Sequence, residues 1–94
     1  MRVDVRLPSM LRPIVGGESS LPVDLDGPAT LGGVLDRLRE RYPALERRLR
    51  DERGTLRRYV NFYVDGEECR RLDGAGTALR DGAEVVVIPS VAGG

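Results

Sequence analysis

Residues 84–94 read EVVVIPSVAGG. In Glu84–Ile88 apolar side chains fall on both alternating faces, the pattern of a strand buried in the middle of a sheet. Pro89 has no N–H to give a ladder and fixes its own φ, so the sheet stops there. Ser-Val-Ala-Gly-Gly follows, without a bulky or charged side chain. At the other end of the chain Val3, Val5 and Leu7 alternate with Asp4 and Arg6, a half-buried strand closed by Pro8. If the last strand lies beside the first, the handedness rule for crossovers makes the two parallel.

The elements between them are short. Residues 8–20, PSMLRPIVGGESS, are rich in Pro, Gly and Ser and read as a long connection. Leu21, Val23 and Leu25 alternate again, a second strand that pairs antiparallel with the first. Residues 26–29 read as a turn, and Thr30 as a helix N-cap. Leu31, Val34, Leu35 and Leu38 then fall at i, i+3, i+4 and i+7, one apolar stripe of a helix. Pro43 interrupts it, and Leu45 and Leu49 mark a further turn or two. Residues 50–58 read as a charged loop around Gly54, and Tyr59–Val64 as the strongest strand. Asp65-Gly66 signals a hairpin, with Glu67–Arg71 returning as a short polar edge strand. Residues 72–83 read as turns, with one helical turn at Thr77–Leu79. One helix on one face of a mixed sheet of four to five strands satisfies this order, an α+β arrangement known as the β-grasp or ubiquitin-like fold. The expected division is a β-grasp domain over residues 1–88 and a flexible Gly-Gly tail over 89–94.

Composition removes most side-chain chemistries. The chain has 94 residues, enough for one domain. There is no His and one Cys, so the commonest general base and any Cys-rich metal or iron–sulfur site are absent. All 15 basic residues are Arg, balanced by 15 acidic ones. Zero formal charge points away from nucleic acid. No apolar run spans a membrane, and the charged N-terminal residues lack a signal core, so a cytoplasmic protein is expected.

The reactive group then need not be a side chain. Gly93 and Gly94 lack Cβ atoms and fit a narrow channel in a partner. The last six residues reach about 20 Å when extended. The Gly94 carbonyl is open to attack from either face. A free carboxylate is a poor acyl donor because oxide is its leaving group. Adenylation supplies AMP as the leaving group, so a tail offered to an ATP-using partner has a chemical logic. A frayed end is the bland alternative, and it fits less well after a final strand that ends in Pro.

Other features are weaker. Cys69 reads as a tolerated small residue on an edge strand, not an activated thiol, because Glu68 and Arg70 flank it. Arg47, Arg48, Arg50, Arg53, Arg57 and Arg58 interleave with acids and read as a solvated mixed face. Gly16-Gly17 and Gly32-Gly33 match no phosphate-loop pattern and read as turn or close-packing glycines. With Val60, Phe62 and Val64 turned to the helix, Tyr59, Asn61 and Tyr63 face outward, and Val86 and Ile88 join them near Tyr63. This leaves an apolar patch beside the tail, either open to a partner or covered by the 8–20 connection.

VVVIPSVAGG resembles the end of the MoaD/ThiS ubiquitin-like sulfur carriers, and the resemblance extends over nearly the whole chain. LPSMLRPIVGGE, TLGGVLDRL and RRYVNFYVDGEE are most similar to the CysO-type carriers of actinobacterial cysteine biosynthesis. The small subunit of molybdopterin synthase tends to have two prolines before Val-Ala-Gly-Gly, where this chain has Pro89-Ser90. The chain is also long for the compact thiazole-type carriers. The resemblance implies a carrier, not an enzyme. Its one reactive group is the Gly94 carboxylate, adenylated by an E1-like enzyme and converted to a thiocarboxylate. ATP and Mg²⁺ belong to that partner, and no metal or cofactor is bound stably. A sulfur-accepting synthase, read as a cysteine synthase, and a JAMM-type metallopeptidase complete the implied set. Partner contacts fall to Pro89, Ser90, Val91, Ala92 and Gly93, with Tyr63, Val86 and Ile88 from the sheet. The alternatives are sulfur donation to molybdopterin or a thiolated secondary metabolite, a ubiquitin-like modifier, or a plain interaction module. Without Lys, chains linked through the protein's own lysines are impossible.

Overall fold

The computed structural model describes residues 1–89. Strands are β1 (Arg2–Arg6), β2 (Ser20–Asp24), β3 (Ala29–Thr30), β4 (Val60–Val64), β5 (Glu67–Glu68), β6 (Ala78–Leu79) and β7 (Glu84–Pro89). Helices are α1 (Leu31–Arg41) and α2 (Pro43–Leu49), with 3₁₀ turns at Ser9–Val15, Cys69–Arg71 and Gly74–Gly76. The main sheet has the order β2-β1-β7-β4-β5, which puts β7 in the centre. It runs parallel to β1, as expected for a last strand beside the first, and antiparallel to β4.

One core forms between the inner sheet face and the helices. Val3, Val5, Phe62, Val85 and Val87 are buried with Leu31, Val34, Leu35 and Leu38 of α1 and Leu45 and Leu49 of α2. The Thr30 hydroxyl accepts the Gly33 N–H at 3.1 Å and starts α1 as an N-cap. Gly32 lets α1 approach the Gly74–Gly76 turn, since a Cβ there would lie 3.2 Å from the Ala75 carbonyl oxygen. Asp65 (φ 49°) and Gly66 (φ 88°) form the tight turn between β4 and β5.

Four regions differ from the expectation. The 8–20 connection contains a 3₁₀ segment whose Leu11 and Val15 enter the core and which packs on α2. It therefore folds over the helix side and only borders the outer sheet face, which removes the covered-patch alternative. Ala29–Thr30, expected in and beside a turn, pairs with Ala78–Leu79, expected as part of a helical turn. The helical turn lies earlier, at Gly74–Gly76, where the Thr77 hydroxyl donates to the Gly74 carbonyl at 2.7 Å and accepts the Asp73 N–H. The polar return strand stops after Glu68, whose carboxylate accepts the Arg70 N–H at 3.0 Å and opens a 3₁₀ turn. That turn carries Cys69 into the core at 0% exposure, away from any edge.

The fourth is Arg50, read as part of a solvated face and found 6% exposed. Its Nη2 donates to Asp36 at 2.8 Å, and its Nε lies 3.0 Å from a Glu46 carboxylate oxygen. Burial works against its charge. Hydrogen bonds to Glu46 and Asp36 outweigh that and hold its pKa above the ordinary value. The pair clamps α2 to α1. Arg50→Ala strands the mostly buried Glu46 carboxylate, and we expect a loss of about 2–3 kcal/mol, read as a lower urea midpoint at unchanged slope.

Candidate functional site

β7 ends at Pro89, opposite Val60 of β4, and everything beyond that point must leave from there. Ser90, Val91, Ala92, Gly93 and Gly94 lie outside the described residues. The surroundings of Pro89 do not.

On the outer face, strand register sets out two rows. Arg6, Val86, Tyr63 and Glu68 lie side by side across β1, β7, β4 and β5. Ile88 lies beside Asn61, one step nearer the exit. Val86 and Tyr63 are half-buried and Ile88 is 43% exposed. The residues expected near one another are thus neighbours: Val86 directly opposite Tyr63, Ile88 diagonal to it. The Arg6 guanidinium lies 3.7 Å from the Glu84 carboxylate along the rim. A shallow hollow of about 350 Å³ runs past Arg6, Arg12, Val86, Ile88 and Pro89.

The exposed large hydrophobics of the described residues are Met10, Tyr59, Leu72 and Ile88. Three of them line hollows that include Pro89. Met10 was hidden from sequence reading because it sits in a Pro- and Ser-rich segment. It adjoins Leu11, which enters the core, and nothing in the sequence marks Met10 as the exposed one of the two.

Arg70 also escaped the sequence reading. Its guanidinium donates to Asn61 Oδ1 at 3.2 Å and to the carbonyls of Arg57 and Val60 at 2.9 and 3.1 Å. It therefore fixes the start of β4, the stretch that pairs with Ile88 and Pro89 of β7.

The site supplies surface and charge, not a reacting side chain. The only acid lining the two hollows at Pro89 is Glu84. Burial, then Glu68, pushes the Cys69 thiol pKa up, so it is neither a thiolate nor accessible. Among the described residues no group of three His, Cys, Asp or Glu side chains is placed to hold a metal ion.

A mixed sheet with the C-terminal strand in its centre, helices on one face and an open patch on the other is the build of a ubiquitin-like β-grasp protein. The ThiS family model matches residues 5–94, and the chain belongs to that family. It is 42% identical to sulfur carrier protein CysO of Mycobacterium tuberculosis over all of both chains. The crystal structure of that CysO superposes with a TM-score of 0.84, at 40% identity, covering 95% of this chain and 99% of the other. Small archaeal modifier protein 3 of Haloferax volcanii is 39% identical, again over all of both chains. A chain from the Amycolatopsis orientalis BexX/CysO complex matches at TM-score 0.84 and 35% identity, covering 98% of this chain and 99% of that one. These relatives are named as carriers or modifiers, not as catalysts.

Proposed function

We propose that this protein carries sulfur on its C-terminus for a biosynthetic enzyme, with cysteine as the product. A partner of the E1-like class binds ATP and Mg²⁺. The Gly94 carboxylate attacks the α-phosphorus, pyrophosphate leaves, and a mixed anhydride with AMP forms. A sulfide-level nucleophile then adds to the carbonyl carbon and AMP departs, leaving a thiocarboxylate. A sulfur-accepting synthase takes the sulfur next. A metallopeptidase of the JAMM class releases the product if it remains joined to the carrier. The carrier holds no cofactor of its own. Among the described residues no helix is long and apolar enough to cross a membrane, and the proposed setting is the cytoplasm.

The observation that carries this reading is the end-to-end match to a sulfur carrier, joined to a central strand that ends beside the apolar side chains of the outer face. Tyr63, Val86 and Ile88 supply the apolar centre of the docking face. The end-to-end match to an archaeal modifier protein favours a second reading, attachment of Gly94 to lysines of other proteins.

Intact mass separates the two. The protein is incubated with its activating enzyme, ATP and sulfide. Replacement of one oxygen by sulfur at Gly94 is the expected result, with Tyr63→Ala slowing it about tenfold. Unchanged mass sinks the carrier reading. Adducts on lysines of added host proteins, without thiocarboxylate, support the modifier instead.

A further inference from the structure

The outer sheet face is only one side of the tail's root. On the other side, between the 3₁₀ segment at Ser9–Val15 and the start of β4, lies a second hollow of about 170 Å³. Leu11, Val87 and Pro89 line it, and Met10 and Tyr59 stand beside it, 61% and 58% exposed. Nothing in the packing of a lone domain accounts for two large side chains held in water at one spot. Arg48 is the one charged residue of the lining. Arg47 and Arg58 adjoin Arg48 and Tyr59 in sequence. Among the described residues none of the three has an ion pair, and Glu46, the acid nearest Arg47 and Arg48 in the chain, pairs with Arg50 instead.

Chain length fixes who can occupy this hollow. Five residues separate Pro89 from the C-terminus, a reach of at most about 18 Å. An enzyme that reacts with Gly94 must bring its catalytic centre within that distance of Pro89. Such centres are concave and enclosed, so the walls around the tail press on the surface around Pro89 from more than one side.

We propose that the helix-side hollow is a second docking site for the enzyme that acts on Gly94. The hollow receives an apolar side chain flanked by carboxylates, which pair with Arg48 and its neighbours. The proposal rests on the reading of Gly94 as the group a partner activates. With the outer face, the enzyme grips β7 from both sides and fixes the direction in which the tail departs.

Steady-state charging with the activating enzyme tests this, with carrier as the varied substrate. The variants are Met10→Asp and Arg48→Glu, with Leu72→Asp as the control, an exposed apolar residue that lines neither hollow. We expect KM to rise about tenfold in each of the first two while kcat stays within twofold and Leu72→Asp matches wild type. Added NaCl raises the wild-type KM, and raises that of Arg48→Glu by a smaller factor. Thermal unfolding shows that each variant is folded, and Arg48→Glu suffices if Met10→Asp is not. Wild-type KM values in both variants overturn the proposal, as does a lower KM for Arg48→Glu, which indicates a basic partner. Failure of the wild-type protein to be charged overturns the reading of Gly94 itself, and this proposal with it.

Discussion

Removing Gly93 and Gly94 abolishes charging and leaves the fold as stable as before. The two halves of this result come from different parts of the molecule. The described core runs from Val3 to Val87, and the last strand pair is Val60 with Pro89. Truncation four residues beyond that pair removes no core side chain and no ladder partner among the described residues. The change in unfolding free energy is expected within about 0.5 kcal/mol. Activation, by contrast, needs a carboxylate at a set distance from the docking face and a slim chain to reach it. Truncation keeps a carboxylate, now on Ala92, but pulls it back by about 7 Å. Misplacement of even 1 Å costs up to about a hundredfold in rate, so ATP–pyrophosphate exchange should fall to background. Gly94→Ala separates reach from bulk: it keeps the length and adds one Cβ beside the reacting carbonyl. Slower exchange than wild type is expected, and more than for the truncated chain. Exchange by the truncated chain at the wild-type rate would place the reactive group elsewhere.

The parts of this fold that were legible in the sequence are those in which one residue pattern has one physical solution. EVVVI is apolar on both faces and can only be central, and it is. YVNFYV alternates, and its inner set Val60, Phe62 and Val64 is the buried set. Thr30 precedes an apolar stripe at helical spacing, and it caps α1. The misread parts owe their structure to distant residues. Leu11 and Val15 find partners on α2, far along the chain, so their Pro- and Gly-rich surroundings carry little signal. Ala29–Thr30 is a strand only because Ala78–Leu79 arrives beside it. Arg50 is buried because Asp36, fourteen residues earlier, completes its pairing with Glu46. Nothing in a run of six arginines marks the one that turns inward. At the site, the outward set Tyr63, Val86 and Ile88 followed from strand alternation. Met10 and Arg70 did not, since each comes from a turn, Met10 to the hollow at Pro89 and Arg70 to the start of β4.

Phe62→Ala should cost about 3–5 kcal/mol, the largest loss from any single truncation in this core. Phe62 is the only Phe in a chain without Trp, and it is fully buried. It sits in the middle of β4, opposite Val87 of β7. The cavity left by its ring therefore opens under the strand pair that carries the tail. A domain of this size holds about 5–15 kcal/mol in all, so the variant keeps as little as a few kcal/mol or none. At about 4–8 °C per kcal/mol, the midpoint of thermal unfolding falls by about 12–40 °C. Phe62→Leu refills most of the volume and should cost less than about 1.5 kcal/mol. The outer face bears neither change, because Phe62 points away from Tyr63 and Asn61. Where Phe62→Ala is still folded at low temperature, its KM for charging should equal that of the wild type. A raised KM at a temperature where the variant is folded would mean that the β4–β7 pair has shifted, and that core packing sets the angle at which the tail is offered.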